Sequence, residues 1–320
     1  MSLFVGIDLG GTKVRTALCD QKGRIIAEAL RSTENRREFE RVIEAIVDSI
    51  EECISSAGAE VNDIEKIGVG SAGQIDTEEG KIVFSPNLNW RNAPLGEAIS
   101  AKYRRPVWVE NDVRVAALGE MAFGAGRGAL HLICLFVGTG IGSGIVVNGK
   151  LLRGWRNMAG EIGHTKIKPD GYPCNCGGHG CLETYVGGWY VKQRAGKAIM
   201  EGRKSLMEEM TGGQLDRITT RVVEEACQKV DTLSQELWAE IEEMFGLAVA
   251  NLVTLFNPER IVLGGGVIEG SPSLIKSTEK SIHKWVSLPS KEGVKVCKAE
   301  LGADAGVIGA TLLPVHGQDT

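Results

Sequence analysis

The sequence predicts an α/β protein made of two halves of like construction. Three observations carry that prediction. Short apolar runs that end in glycine turns alternate with longer segments whose apolar residues recur at helical spacing. The order strand, glycine-rich turn, strand, tight turn, strand occurs twice, about 130 residues apart. The composition, 43% hydrophobic and 24% charged over 320 residues, is that of a globular chain long enough for two domains. Cores of that size need no disulfide staples.

The elements follow in order. Phe4 to Asp8 reads as a buried strand, Leu9-Gly10-Gly11-Thr12 as a turn and Lys13 to Cys19 as a second strand. Asp20-Gln21-Lys22-Gly23 turns the chain into a third, Arg24 to Leu30. Arg37 to Ala57 is a helix, with Phe39, Val42, Ile43, Ile46, Val47 and Ile50 on one spacing. Ile64 to Val69 is a strand, Leu95 to Lys102 a helix and Val107 to Val109 a strand. Asn111 stands near the start of a helix running through Arg114 to Phe123. His131 to Val137 opens the second half and ends in Gly138-Thr139-Gly140-Ile141-Gly142. The strands Gly144 to Val147 and Lys150 to Arg153 follow, joined by Asn148-Gly149, a strong hairpin signal. Gly188 to Met200 and Ile218 to Lys229 read as helices, and Glu201 to Asp216 between them as an exposed loop or lid. Ser234 to Phe256 is a long helix with Ser234 as its N-cap and Asn257-Pro258 as its stop. Arg260 to Leu263 is a strand leading into Gly264-Gly265-Gly266. A helix, the strand Val294 to Cys297 and a small-residue helix from Gly302 to Leu313 complete the chain. The expected domains are 1–120 and 121–320, with the helix from about 302 available to pack back on the first.

The charge balance, 36 Lys and Arg against 41 Asp and Glu, gives −5. A mildly acidic surface argues against broad electrostatic binding to nucleic acid or an anionic membrane. No apolar run is long enough to span a bilayer. Met1-Ser2-Leu3-Phe4-Val5 lacks the marks of a secretion signal, so the expected location is the cytoplasm. There the eight cysteines stay mostly reduced. Five are scattered among apolar residues and read as buried thiols.

Five motifs carry chemistry. The first is Asp8-Leu9-Gly10-Gly11-Thr12-Lys13: a glycine turn lets backbone N–H groups approach phosphate oxygens, Thr12 adds a hydroxyl, Lys13 a positive charge, and Asp8 a carboxylate for a metal ion or its water. The second, Gly138-Thr139-Gly140-Ile141-Gly142, has the same logic, and two such hairpins facing each other can clamp the phosphates of a nucleotide. The second turn is neither a Walker loop nor a Rossmann fingerprint, and the first taken alone is equally readable as a plain hairpin. The third is Glu110-Asn111-Asp112, between a strand and a helix. A carboxylate there can accept a hydroxyl proton and Asn111 can bond a polyol, although an Asx cap of the helix explains the same residues. The fourth is Cys174-Asn175-Cys176 with Cys181, and His164 ten residues upstream. Three thiolates and one imidazole fill a tetrahedral zinc site and leave no place for catalytic water, which makes the metal structural. His179 is a competing ligand, but it sits inside the tight loop, so His164 is preferred. The fifth is Glu161-Ile162-Gly163-His164 with Glu183, acceptors and donors suited to sugar hydroxyls; as plain surface charges the two glutamates would need no ligand.

Together these residues resemble the ROK family of bacterial sugar kinases and sugar-responsive repressors, within the actin/hexokinase-like ATPase superfamily. The carriers are Asp8 to Thr12, Glu110-Asn111-Asp112, Gly138 to Gly144, Glu161 to His164, Cys174 to Glu183 and Gly264-Gly265-Gly266. Within that family the chain looks most like the glucokinases. The resemblance implies a two-lobed actin/hexokinase-like (ribonuclease H-like) fold with duplicated α/β domains and a cleft between them. It implies Asp112 as the catalytic base and ATP with Mg²⁺ on the two hairpins, with Gly264, Gly265 and Gly266 near the adenosine. It implies sugar at Gly73, Asn87, Asn111, Asp112, Glu161, His164 and Glu183, and zinc on His164, Cys174, Cys176 and Cys181. The expected reaction is phosphorylation of glucose at its 6-hydroxyl, an entry step to glycolysis. Alternatives are a kinase for N-acetylmannosamine, fructose, allose or N-acetylglucosamine, or a silent sugar sensor. The repressor branch adds an N-terminal helix-turn-helix for which the first strand, starting near residue 3, leaves no room. The expected partners are therefore a small sugar and a second or further copies of the chain, as a homodimer or homotetramer, with no nucleic acid and no membrane.

Overall fold

The computed structural model describes residues 2–33 and 38–313. Two compact units share the chain: Met1–Leu130, Gly144–Gly160 and Glu300–Thr320 in unit 1, His131–Ser143 and Glu161–Ala299 in unit 2. Arg37, where the helical spacing begins in the sequence, and Met1 lie outside the described residues.

Unit 1 opens with the antiparallel meander β1 (Leu3–Leu9), β2 (Lys13–Cys19) and β3 (Ile25–Ser32). Helix α1 (Phe39–Ser56) buries Val42, Ile46, Ile50 and Cys53, and these join the apolar residues of β1 in one core. The next strand, β4 (Ile64–Ser71), pairs parallel with β1. A small antiparallel sheet follows, β5 (Gln74–Asp76), β6 (Lys81–Ser85) and β7 (Trp90–Ala93). The sequence reading leaves this sheet unassigned, because strands of three to five residues are too short to show a clear alternation. Helix α2 (Leu95–Tyr103) leads to β8 (Val107–Asn111), parallel to β4, and then to α3 (Asp112–Phe123). Residue 120, the expected domain boundary, lies inside α3.

The register of this sheet aligns Asp8 with Gly70 and Gly70 with Glu110, and in the next row Leu9 with Ser71 and Ser71 with Asn111. The carboxyl ends of β1, β4 and β8 therefore stand side by side. The first glycine turn, the Ala72-Gly73 turn and the head of α3 leave the sheet from that one edge, the usual place for ligands in open α/β sheets.

In the second half β9 (Leu132–Val137), β10 (Ile141–Val147) and β11 (Lys150–Leu151) form the next meander, and the division between units falls within β10. Helices α4 (Glu183–Val186), α5 (Gly188–Met200), α6 (Leu206–Met210), α7 (Thr220–Gln228) and α8 (Thr232–Phe256) follow. Then come β12 (Arg260–Gly264), α9 (Gly266–Gly270), α10 (Ser273–Trp285), α11 (Leu288–Lys291) and β13 (Lys295–Lys298). The two large sheets have the orders β3-β2-β1-β4-β8 and β11-β10-β9-β12-β13. In each, a meander's first strand pairs with the fourth and the fourth with the fifth, so the repeat expected from the sequence is a repeat of topology.

Two local expectations are corrected. Asp231, not Ser234, caps α8: its carboxylate accepts from the Ser234 N–H (2.8 Å) and from the Leu206 N–H (2.9 Å). An ionised acceptor collects these donors better than the Ser234 hydroxyl, which itself donates to Asp231. The same bonds hold α6 in place, so the segment expected as an exposed loop contains a docked helix with Met207 buried.

The chain closes unit 1 with α12 (Ala305–Ala310), shorter than the helix expected from 302 and preceded by a 3-10 turn, Gly302–Asp304. Its backbone lies directly on its neighbours. A Cβ on Gly6 would fall 1.9 Å from the Val307 carbonyl oxygen, and one on Gly68 1.8 Å from that of Ala310. Glu120, fully buried in α3, anchors the return: it accepts from the N–H groups of Ala125 (2.8 Å), Glu300 (3.1 Å) and Leu301 (2.8 Å). Among the described residues, no helix is long and apolar enough to cross a membrane. Gly68→Ala is expected to cost about 3 kcal/mol of stability or more, because α12 must shift as a body. Glu120→Gln should cost about 1–3 kcal/mol, because the amide turns a donor toward backbone donors. Urea denaturation of each variant reads both.

Candidate active site and metal centre

In unit 1 the carboxyl edge gathers nine of the expected residues. The first turn is closed by the Gly10 N–H donating to the Lys13 carbonyl (2.9 Å). Asn87 lies against it: a Cβ on Gly11 would come within 3.0 Å of the Asn87 Cβ. Asn111 caps α3, accepting from the Val113 (3.1 Å) and Arg114 (3.3 Å) N–H groups, while its Nδ2 donates to the Gly73 carbonyl (3.3 Å). Asp112 follows in the first helical turn and accepts from the Val113 N–H (2.9 Å). Thr12 and Lys13 are exposed. Asp8 is packed against Gly306 of α12, and this burial pushes its pKa above the usual carboxylate value, against the pull of Lys13 and Arg15.

Glu110 has a different environment from Asp112. It is 1% exposed and is held by Arg153 Nε (2.8 Å), Asn157 Nδ2 (3.1 Å) and Arg114 (3.4 Å). Arg114, also buried, donates on to the carbonyls of Asn157 (2.8 Å) and Ala159 (2.6 Å). Sequence reasoning did not single out Arg114, Arg153 or Asn157; the i,i+4 spacing of Glu110 and Arg114 was the available signal.

In unit 2 the second glycine turn opens onto a cavity of about 610 Å³. Gly138, Thr139 and Gly266 line it, as do Trp189 and Lys192 of α5, Asp216, and Arg221 of α7. The residues from α5 and α7 belong to no glycine motif and were not found from the sequence. Gly264 and Gly265 do not line the cavity: Gly264 packs against Phe136 and Ala299, and Gly265, at φ +87°, sits on the Val137 backbone. Glu183 accepts from the Ile141 N–H (2.9 Å) at the end of the turn. Glu161 and His164 are exposed at either end of the 3-10 turn Ile162–His164.

His164, Cys174, Cys176 and Cys181 form one cluster, their ligand atoms all within 4.8 Å of one another; His179 stands outside it. Cys176 Sγ is 3.6 Å from Cys181 Sγ, and Cys174 Sγ is 3.7 Å from His164 Nδ1. Tetrahedral zinc with Zn–S bonds of about 2.3 Å puts its sulfurs about 3.8 Å apart, so this donor set fits a closed Zn²⁺ site. Burial pushes the Cys181 thiol up to about 11, opposed by Lys166, whose Nζ lies 2.7 Å away. The Gly178 N–H is the main cause that holds Cys176 below the usual thiol range. Binding a divalent ion must therefore displace thiol protons, and it weakens as pH falls.

A model of the ROK family matches residues 4–316. This chain belongs to the ROK family. It is 35% identical over 316 residues to a glucokinase of Streptomyces coelicolor, covering 97% of this chain and 96% of that one. The solved structure of a ROK family glucokinase from Streptomyces griseus, in complex with glucose and AMPPNP, matches with a TM-score of 0.80 at 32% identity, covering 98% of this chain and 99% of that one. A xylose repressor of Caldicellulosiruptor bescii is 33% identical over 312 residues, covering 98% of this chain and 78% of that one. The expected fold class, the two-lobed actin/hexokinase-like ATPase fold, holds for this ROK protein.

Two outcomes are expected. The protein should carry one zinc ion per chain by elemental analysis, and Cys176→Ser should lose most of it. Asp8→Asn should raise stability at neutral pH. A carboxyl whose folded pKa is raised contributes stability below its unfolded value near 3.8 and loses it as pH rises through the folded value, so the ionised form is a liability that the amide removes. Denaturation at pH 7 and at about pH 3 tests this, since the gap should close in acid.

Proposed function

We propose that this ROK protein is an ATP-dependent hexose kinase that phosphorylates glucose at the 6-hydroxyl, with Asp112 as general base. The observation that carries the reading is the position of Asp112. It heads α3 at the carboxyl edge shared by the first glycine turn, in a chain alike from end to end to a glucokinase solved with glucose and AMPPNP. The 610 Å³ cavity beside the second turn supports it, being large enough for a nucleoside.

The roles follow from the environments. Glu110 is committed to Arg153, Arg114 and Asn157, and Asp112 heads α3 at the shared carboxyl edge, the position this reading gives to proton transfer. The Asn111 cap fixes the head of α3 on which Asp112 sits. As the sugar's 6-oxygen bonds to the γ-phosphorus, its proton passes to Asp112 and the bond from phosphorus to the ADP oxygen breaks. The amides of Gly11 and Thr12 and of Thr139 and Gly140, with Lys13, hold the phosphate chain, while the Gly10 and Gly138 N–H groups close their turns on Lys13 and Gly140. Mg²⁺ bound with ATP supplies counter-charge to the phosphate oxygens, with Asp8 as the residue to hold it or its water. Gly73, Asn87, Asn111, Glu161, His164 and Glu183 hold the sugar hydroxyls. Zinc on His164, Cys174, Cys176 and Cys181 fixes the loop that carries Glu183, and leaves the other His164 ring nitrogen for a hydroxyl.

The second reading is a sugar sensor without turnover, favoured by the likeness to the xylose repressor. A coupled ADP-release assay with Mg-ATP across glucose, fructose, allose, mannose and N-acetylhexosamines separates the two. Turnover with glucose supports the proposal, turnover only with another sugar moves the substrate, and sugar binding without turnover favours the sensor. Asp112→Asn should lower kcat at least about a hundredfold and leave the Kd for sugar within a few-fold. Wild-type turnover in that variant would refute the assignment of the base.

A further inference from the structure

The metal loop and the second glycine turn are joined by contacts that neither sugar binding nor phosphoryl transfer accounts for. Glu183 stands two residues after the metal ligand Cys181. Its Oε2 accepts from the Ile141 N–H at 2.9 Å, and it sits so close to the turn that a Cβ on Gly140 would lie 2.3 Å from the same oxygen. Gly163, the neighbour of His164, approaches from the other side: a Cβ there would fall 2.7 Å from the Ile141 carbonyl oxygen. Beyond Glu183 the chain meets the turn again, where Gly188 N–H donates to the Gly138 carbonyl (2.9 Å) and Trp189 N–H to that of Thr139 (3.1 Å). The turn is thus gripped by residues one or two positions away from two metal ligands.

We propose that Glu183 is a positioning residue for the nucleotide turn, and that the metal loop sets the conformation of that turn through it. The assignment of the turn to a nucleotide rests on the proposed kinase function; the coupling between loop and turn does not. The physical case is one of entropy. The loop holds Gly177, Gly178 and Gly180 between its cysteines, and its apolar contacts are a small cluster of Cys174 and Cys181 with Tyr190 and the packing of Tyr172 on Tyr185. Without its ion such a loop has many conformations open to it, and a carboxylate mounted on it spends less time on the Ile141 N–H. The turn amides then lose their preset aim at the phosphates.

Hydrogen exchange followed by mass spectrometry tests the coupling, with MgADP affinity measured by calorimetry in the absence of sugar. Peptides over residues 137–143 are compared in zinc-loaded and EDTA-treated protein, and the first turn, residues 9–13, serves as the internal control. Zinc removal should speed exchange at 138–142 about tenfold or more, leave 9–13 unchanged and weaken MgADP binding. Glu183→Ala should do the same with zinc retained, and Glu183→Gln, which keeps an acceptor oxygen for Ile141, should restore both. If stripping zinc also speeds the control turn, the zinc-loaded Glu183→Ala variant decides. Unchanged exchange at 138–142 in Glu183→Ala overturns the proposal, as does a chain that takes up no zinc. Altered exchange in a protein that binds no MgADP even when loaded supports the coupling and refutes the nucleotide reading.

Discussion

The rest of unit 1 depends on the direct backbone contact between α12 and the elements it covers. Gly6 on β1 and Gly68 on β4 let the helix carbonyls approach to distances that no side chain permits, and Gly309 of α12 meets the Val115 carbonyl of α3 in the same way. Spacing set by backbone on backbone has little slack, because no rotamer can absorb a shift. The strand carrying Asp8 and the helix headed by Asp112 are thereby referenced to one short element. The same closeness puts Asp8 against Gly306 and raises its pKa, so the site's geometry and its least comfortable charge have one cause. Such strain between stability and function is common where a site needs a fixed charge.

The acidic groups at this edge are kept distinct by their partners. Glu110 is buried between two arginines, and removing either leaves a buried charge short of a partner, at a cost of about 3–5 kcal/mol. The exposed Arg221–Glu225 pair contributes less than about 1 kcal/mol by comparison. The strong network is the one that ties the head of α3 to residues 153–159. It holds the head of α3, and with it the backbone of Asp112, in a fixed place.

Much of this was legible in the sequence where chemistry and chain position coincide. The two glycine turns, the Glu110-Asn111-Asp112 junction and the cluster of His164 with three cysteines are local motifs, and the structure places them at strand ends and in one metal-sized group. What was not legible depends on contacts far apart in sequence. Trp189, Lys192, Asp216 and Arg221 line one cavity with Gly138 only because the chain from α5 to α7 folds back beside the second turn, and nothing in their own surroundings announces it. Gly264 and Gly265 read as ligand glycines in the sequence, and in the fold they also allow close passage over Phe136 and Val137, a long-range contact the motif does not announce. Ser234 looks like a cap until the carboxylate three residues earlier competes with it. The short strands β5 to β7 carry too few residues to declare a period.

The metal cluster has the energetic weight to act beyond its own loop. Its apolar support is small, the group Cys174, Cys181 and Tyr190 and the packing of Tyr172 on Tyr185, whose burial contributes about a few kcal/mol. Structural zinc in small peptides contributes about 10–16 kcal/mol. A zinc ion bound there would be the core of this loop, and whatever the loop touches would inherit its rigidity. Two of its contacts in unit 2 lead to the second glycine turn. Tyr190 accepts from the Asn175 N–H (2.9 Å) and stands next to Trp189, whose own N–H holds Thr139. Glu183 holds Ile141. Two independent arms thus run from the loop to opposite ends of one glycine turn. A loop needed only to present sugar ligands would require neither arm, and that excess of connection is the reason to look for the metal's influence in nucleotide binding as well as in sugar binding.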